Sequence, residues 1–103
     1  MNGLALSPAE LAIVRAILAR HVPDREVWAF GSRVSGRARE YSDLDLVVIG
    51  ETPLDLAISA ALAEDFAESD LPFKVDVVDW ATTSAGFREI IGAGKVMVLS
   101  APV

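Results

Sequence analysis

The sequence predicts an α/β domain, in which short buried strands alternate with amphipathic helices. The prediction rests on three observations: apolar runs of strand length, helix-capping patterns between them, and a hydrophobic content of 52%. In a chain of 103 residues this content is sufficient for one hydrophobic core. The length is that of one domain, and no repeat, low-complexity stretch or linker interrupts it, so residues 1–103 are expected to form a single domain.

Three helices are indicated by capping residues and by recurring apolar positions. Ser-Pro-Ala-Glu at residues 7–10 combines a capping box with a proline at the first helical position, and this helix is expected to end near His21. A similar capping pattern at residues 52–55 precedes an amphipathic stretch that should end near Glu68. Residues 82–91 are predicted as a shorter helix. Its inward-facing side chains are expected to be Phe87, Ile90 and Ile91.

Four strands are expected, at residues 27–30, 44–49, 73–80 and 96–99. The second strand has a continuous apolar run from Leu46 onward, which is typical of a strand that is buried on both faces. Side chains of the third strand alternate between the faces of the sheet, so Asp76 and Asp79 should point in opposite directions. The last strand is short and is expected at an edge.

The residues between the first two strands have the chemistry of a phosphate and metal site. Gly31, followed by Ser32, lets the backbone turn and lets a ligand approach without a Cβ in the way, and a helical turn starting there offers N–H groups to an anion. Asp43 and Asp45 share one face if residues 44–49 form a strand. Their charges repel unless a cation lies between them, and Mg²⁺ is commonly held by carboxylates together with substrate phosphates.

Three arginines, Arg33, Arg37 and Arg39, follow the Gly-Ser turn. Residues 32–39 are predicted as a short helix or helical turn, on which Arg33 and Arg37 would share a face. The arginines form either a solvated basic face or part of a polyphosphate site, and both interpretations stay open. Taken singly, the Gly-Ser turn also fits a plain turn, and the aspartate pair also fits a solvated strand end.

Composition narrows the functional classes. A net charge of −6 argues against direct nucleic-acid binding, because phosphate backbones require a basic surface. The absence of cysteine excludes a disulfide framework and a zinc–cysteine site. No signal peptide follows Met1 and no apolar run has the length of a membrane span, so a soluble, cytoplasmic protein is the expectation.

Together these motifs resemble the nucleotidyltransferase signature of the DNA polymerase β superfamily. That signature runs Gly-Ser, three residues, Gly, and then a hydrophobic-flanked Asp-x-Asp; the matching residues here are Gly31-Ser32, Gly36 and Asp43-Leu44-Asp45. The short length and the absence of an appended domain are similar to those of the minimal nucleotidyltransferases, or MNT proteins. The resemblance implies a polymerase β-like fold, with a small mixed sheet and helices packed mainly on one face.

The resemblance also implies a chemistry. Many MNT proteins are antitoxins of HEPN-domain ribonuclease toxins and transfer AMP from ATP to a tyrosine of the toxin, so a hetero-oligomer is expected. A third carboxylate on a later strand completes the two-magnesium site in the superfamily; we favour Asp76 for it, with Asp79 as the competitor. The implied metal-binding and catalytic residues are Asp43, Asp45 and Asp76. The implied nucleotide-binding residues are Gly31, Ser32, Arg33 and Gly36.

Two other functions stay open. The chain could modify a small molecule such as an aminoglycoside, with a separate helical subunit completing the site. It could also be an inactive fold that neutralises a toxin by contact alone. The intact set of carboxylates argues against the inactive fold, and the absence of a substrate-recognition domain argues that a partner supplies the acceptor.

Overall fold

The computed structural model describes residues 4–100 as four strands and four α-helices around one sheet. In chain order the elements are α1 Pro8–His21, β1 Val27–Phe30, α2 Ser32–Ser35, β2 Leu44–Val48, α3 Leu56–Glu68, β3 Val75–Asp79, a 3₁₀ turn Trp80–Thr82, α4 Ala85–Ala93 and β4 Val96–Leu99. The strand order is β3-β2-β1-β4, with β1 antiparallel to β2 and β4, and β2 parallel to β3. The mixed sheet and the edge position of the last strand are therefore confirmed.

The core lies mainly on one face of the sheet. Leu44, Leu46 and Val48 of β2 point to this face and pack with buried side chains of α1 and α3. Val47 points to the other face, where it packs in a smaller cluster that includes Ile91 of α4. Burial of β2 on both faces is confirmed, and the helices lie mainly on one face, with α4 on the other.

Helix α1 follows its sequence signals closely. The Ser7 hydroxyl accepts the backbone N–H of Glu10, and the Glu10 carboxylate accepts the N–H of Ser7, which completes the capping box. The helix ends at His21 as predicted, and its buried side chains face α3 and the sheet. Within residues 4–100, no helix combines the length and the apolar content that a membrane crossing requires.

Helix α3 begins three residues later than its capping pattern predicts. Asp55, and not Thr52, is the N-cap, and its carboxylate accepts the N–H of Ala57 at 2.8 Å. The preceding residues are held by contacts far away in sequence: the Leu54 N–H donates to Asp79 and the Thr52 carbonyl accepts from Arg25. These contacts keep the approach to α3 non-helical.

Two other predicted helices differ from the structure. Helix α2 ends at Ser35 and does not reach residue 39, because Gly36 takes the left-handed conformation with φ of +83°. Arg33 and Arg37 therefore do not share a helical face. Helix α4 starts later than expected and buries Ile91, whereas Ile90 is 67% exposed and does not point inward.

One buried charge ties the start of the chain to the loop before β2. Arg33, 6% exposed, donates from Nε to the Ser42 carbonyl at 2.9 Å, and from its two terminal nitrogens to the carbonyls of Ala5 at 2.8 Å and Glu40 at 3.1 Å. Its guanidinium carbon lies 4.0 Å from the ring centre of Phe73, in a cation–π contact. A planar fork of five N–H donors suits this arrangement, which an ammonium could not reproduce.

We expect Arg33→Ala to lower the free energy of unfolding by roughly 2–4 kcal/mol, because three carbonyls lose a charged donor and the ring contact disappears. Urea denaturation measures this change. Arg33→Lys should recover only part of the loss. Arg39→Ala is the matched control, since that exposed side chain lies in the same loop, and it should change stability by less than about 0.5 kcal/mol. Equal stability of Arg33→Ala and Arg39→Ala would contradict the proposed role of the buried guanidinium.

Candidate active site

The Gly31-Ser32 turn closes β1 directly against a carboxylate. Gly31 has φ of +80°, which L side chains rarely adopt, and a Cβ built on it would collide with the Asp45 carboxylate. Antiparallel pairing of β1 with β2 places Phe30 opposite Asp45, so the turn lies beside that side chain. The backbone angle is what favours glycine here, and any larger residue would also have to displace the Asp45 carboxylate.

The sheet register brings the second carboxylate alongside the first. Parallel pairing of β2 with β3 sets Asp45 opposite Asp76, and Asp43 precedes β2 by one residue. Burial raises the pKa of the Asp45 carboxyl, and the negative charges of Asp76 and then Asp43 raise this pKa further. The structure thus gathers the three sequence-predicted carboxylates at one end of β2. Asp76 also lies 3.5 Å from the ammonium of Lys74, in an exposed ion pair.

Asp79, the competing third carboxylate, is engaged elsewhere. Its oxygens accept the backbone N–H groups of Leu54 at 2.7 Å and Ala81 at 3.2 Å. The carboxylate thereby caps the 3₁₀ turn after β3 and holds the approach to α3. This placement, at the far end of β3 from the pairing of Asp45 with Asp76, favours Asp76 as the third acidic residue of the site.

Two of the nucleotide-binding residues implied by the resemblance have conformational roles. The guanidinium of Arg33 faces backbone carbonyls and the Phe73 ring, so it is directed into the protein and not toward a ligand. Nucleotide binding by Arg33 therefore stays a prediction to which this guanidinium gives no support. Gly36 ends α2 in the left-handed conformation, and a Cβ there would meet no atom within 4 Å, so its backbone angle is what favours glycine.

A cleft of about 530 Å³ opens beside the turn, within the size range of small-ligand sites. It is lined by residues of β1, the turn and the segment after it, and by residues at the end of α4: Phe30, Gly31, Ser32, Ser35, Arg37, Ile90, Ala93 and Gly94. Sequence reasoning missed the contribution of α4, because no local signal shows which loop a distant helix will face. The sequence pattern gave no signal for it, since it predicted that Ile90 faces inward, whereas Ile90 is exposed and lines the cleft.

The three carboxylates supply hard oxygen donors, which suit Mg²⁺. Burial, and after it the unneutralised charges of Asp76 and Asp43, raise the pKa of Asp45, and a cation would offset the part that is due to charge. Within residues 4–100, the carboxylates lie at the same end of the sheet but not in the arrangement of a preformed metal centre, so the fit rests on the kind of donor and not on the spacing of the side chains. The donor set therefore fits Mg²⁺ in its chemistry.

Comparison with known proteins agrees with this architecture. Residues 11–100 match the family described as a nucleotidyltransferase domain. The chain is 60% identical over 95 residues to the probable protein adenylyltransferase MntA of Haemophilus influenzae, and the match covers 92% of this chain and 83% of that protein.

Solved structures show the same fold. A crystal structure of a toxin–antitoxin pair with AMP-PNP matches with a TM-score of 0.74 and 24% identity, over 88% of this chain and 73% of that one. A structure of a tri-AMPylated Shewanella oneidensis HEPN toxin in complex with MNT antitoxin matches with a TM-score of 0.67 and 24% identity, over 88% of this chain and 70% of that one. The solved structures establish the fold, and the family match and the MntA relative establish the family. This chain belongs to the nucleotidyltransferase domain family, in the branch that includes MntA.

Proposed function

We propose that this chain is a magnesium-dependent adenylyltransferase that transfers AMP from ATP to a tyrosine hydroxyl of a HEPN-domain toxin and so acts as its antitoxin. The observation that carries the proposal is the register of the sheet, which sets Asp45 beside Asp76 and against the Gly31-Ser32 turn. The 60% identity to a probable protein adenylyltransferase supports AMP as the transferred group. The tri-AMPylated toxin bound to a structurally similar chain supports the toxin as acceptor.

Within this proposal, the residues of the turn bind phosphate and the carboxylates bind the metal. The Ser32 hydroxyl and the backbone of Gly31-Ser32 bind phosphate oxygens of ATP. Asp43, Asp45 and Asp76 would hold Mg²⁺, which supplies neutralisation of phosphate charge and of the leaving pyrophosphate. Asp76 accepts the proton of the attacking hydroxyl. A bond forms between that hydroxyl oxygen and the α-phosphorus, and the bond to the β-phosphate oxygen breaks.

We also propose that the protein acts in the cytoplasm, as one part of a hetero-oligomer. The acceptor tyrosine must reach the end of β2 that carries the carboxylates, and the complex of a tri-AMPylated toxin with a structurally similar antitoxin supports a partner protein as its source. A helical partner that binds beside the carboxylates would place its tyrosine at the α-phosphate. The three carboxylates and the net charge of −6 give no support to nucleic acid as the acceptor.

The decisive experiment is co-expression of the chain with its genomic neighbour. We expect ATP and Mg²⁺ together to increase the intact mass of the neighbour by whole AMP groups, and we expect EDTA to prevent the increase. Toxin silencing without ATP would instead support a binding module. Unmodified neighbour together with AMP transfer to an aminoglycoside would support the small-molecule alternative.

We expect Asp45→Asn to raise the melting temperature of the metal-free protein at pH 7 by a few degrees. The fold raises the pKa of Asp45, so ionisation of this carboxyl destabilises the folded state. The penalty is complete above the raised pKa and disappears as the pH falls below the unfolded-state value, so the gain should vanish in acid. Differential scanning calorimetry of both proteins at pH 7, and again in acid below the unfolded-state pKa, measures the difference in melting temperature.

The exposed Asp70→Asn is the control for Asp45→Asn and should have no effect at either pH. Mg²⁺ with an ATP analogue should stabilise the wild type more than Asp45→Asn, because bound ligand favours the folded state in proportion to affinity. A lower melting temperature for metal-free Asp45→Asn at pH 7 would identify the carboxylate as a structural element.

We expect Asp76→Asn to reduce AMP transfer by about two or more orders of magnitude, the scale of a lost general base, while ATP affinity changes little. Single-turnover transfer to the partner and a separate ATP titration measure the two quantities. Asp79→Asn is the matched control on the same strand. It should lose some stability through its weakened backbone contacts but keep transfer within a few-fold of wild type. Loss of transfer in Asp79→Asn with normal transfer in Asp76→Asn would identify Asp79, and not Asp76, as the third carboxylate of the site.

A further inference from the structure

The cleft beside the Gly31-Ser32 turn contains one cation that the fold does not use. Every arginine of the described chain except Arg37 and Arg39 has its guanidinium engaged, as the contacts of Arg15, Arg20, Arg25, Arg33 and Arg88 show. Arg37 and Arg39 are both exposed, and neither guanidinium makes an ion pair or a hydrogen bond within residues 4–100. Only Arg37 lines the cleft.

The surroundings of Arg37 suit an anion. The cleft is lined by the hydroxyl groups of Ser32 and Ser35 and by apolar side chains, and none of its lining residues is acidic. In a protein of net charge −6, such a site is a local exception. The apolar side chains of Ile90 and Ala93 also line the cleft, and a charge interaction beside apolar groups is stronger than one in open water.

The sheet order sets the direction in which a bound triphosphate must run. The carboxylates lie on β2 and β3, on one side of the β1 end that carries Gly31. The cleft with Arg37 includes the end of α4, which leads into β4, and β4 pairs with β1 on the side away from β2. The reacting α-phosphate belongs at the carboxylates, so the β- and γ-phosphates continue across Gly31-Ser32 and into the cleft.

We propose that Arg37 is a nucleotide-binding residue that holds the terminal phosphates of ATP and the pyrophosphate that leaves. This inference rests on the proposed use of ATP. It assigns to Arg37 the charge contact that the resemblance implies for Arg33, whose guanidinium is directed into the protein. Release of pyrophosphate places more negative charge on these oxygens, and a guanidinium with free N–H donors can neutralise it through paired hydrogen bonds.

The test compares nucleotides with and without terminal phosphates on the chain of 103 residues. Dissociation constants of α,β-methylene ATP with Mg²⁺ and of AMP are measured by NMR titration for wild type and Arg37→Gln. We expect Arg37→Gln to weaken binding of the triphosphate by roughly 10- to 100-fold, the scale of a lost charge-assisted hydrogen bond. Binding of AMP should stay within about twofold, because an exposed charge beyond contact distance is largely screened.

Arg39→Gln is the matched control, since it removes the same charge from the same exposed loop but does not line the cleft. Both nucleotides should bind Arg39→Gln as they bind wild type. Arg37→Lys keeps the charge and should retain part of the preference for triphosphate. The ratio of the two affinities is taken on one sample, so partial misfolding of a variant leaves it unchanged.

Several outcomes would overturn the assignment. Equal weakening of triphosphate and AMP binding, no weakening of either, or the same loss in Arg39→Gln would each exclude Arg37 as the terminal-phosphate contact. A partner that stays unmodified while triphosphate binding depends on Arg37 would refute the proposed acceptor and leave this site standing. Transfer that proceeds with Arg37 irrelevant to binding would refute this site and leave the proposed function standing.

Discussion

The pairing of β2 with a strand on each side is the constraint on which the site depends. Because β2 is antiparallel to β1 and parallel to β3, one residue of it, Asp45, is opposite both Phe30 and Asp76. A shift of either register by one residue would turn one of these partners to the other face of the sheet. The buried apolar side chains of β2 oppose such a shift, since Leu44, Leu46 and Val47 would exchange faces with it. Packing energy in the core therefore fixes the positions of the charged groups.

The loop between α2 and β2 is held by a different force. It contains Gly36 in a left-handed turn and has little apolar surface to bury, so the hydrophobic effect cannot order it. Arg33 supplies the order through hydrogen bonds to carbonyls at Glu40 and Ser42 and through its contact with Phe73. A buried charge is costly unless its donors are satisfied, and here each nitrogen has a carbonyl partner. The same side chain that resembles a ligand contact in sequence thus belongs to the scaffold.

The sequence was informative where local physics decides the outcome. The capping box at Ser7, the apolar run of β2 and the Gly31-Ser32 turn each express a preference of neighbouring residues, and the structure agrees with them. It was uninformative where a distant partner decides. Asp79 holds the N–H of Leu54 and so delays the start of α3, and nothing near Leu54 in sequence reveals that bond.

The same distinction between local and distant causes applies to the site residues. Asp43 and Asp45 were predicted from their spacing and from the family signature. A third carboxylate was implied by the resemblance, and Asp76 was preferred because Asp79 comes at the end of its strand, beside Trp80. The roles of the arginines could not be resolved in this way. Arg33 and Arg37 differ only in what the folded chain places around them: carbonyls and a ring for the first, an open cleft for the second. Sequence supplies the charge, and the fold decides whether that charge remains available.

The electrostatics of the site link its instability to its function. Asp45 is partly buried beside Asp43 and Asp76, so the empty site contains repulsion that the rest of the fold must offset. In the proposed complex, a metal ion would meet the carboxylates and the phosphates would meet Arg37 and the Gly31-Ser32 turn, so opposite charges would be paired on both sides of the turn. Part of the binding free energy would then be relief of repulsion between the carboxylates of the free protein. The charges that oppose ionisation of Asp45 in the free protein would thus favour the bound state, a relation expected where a site trades stability for function.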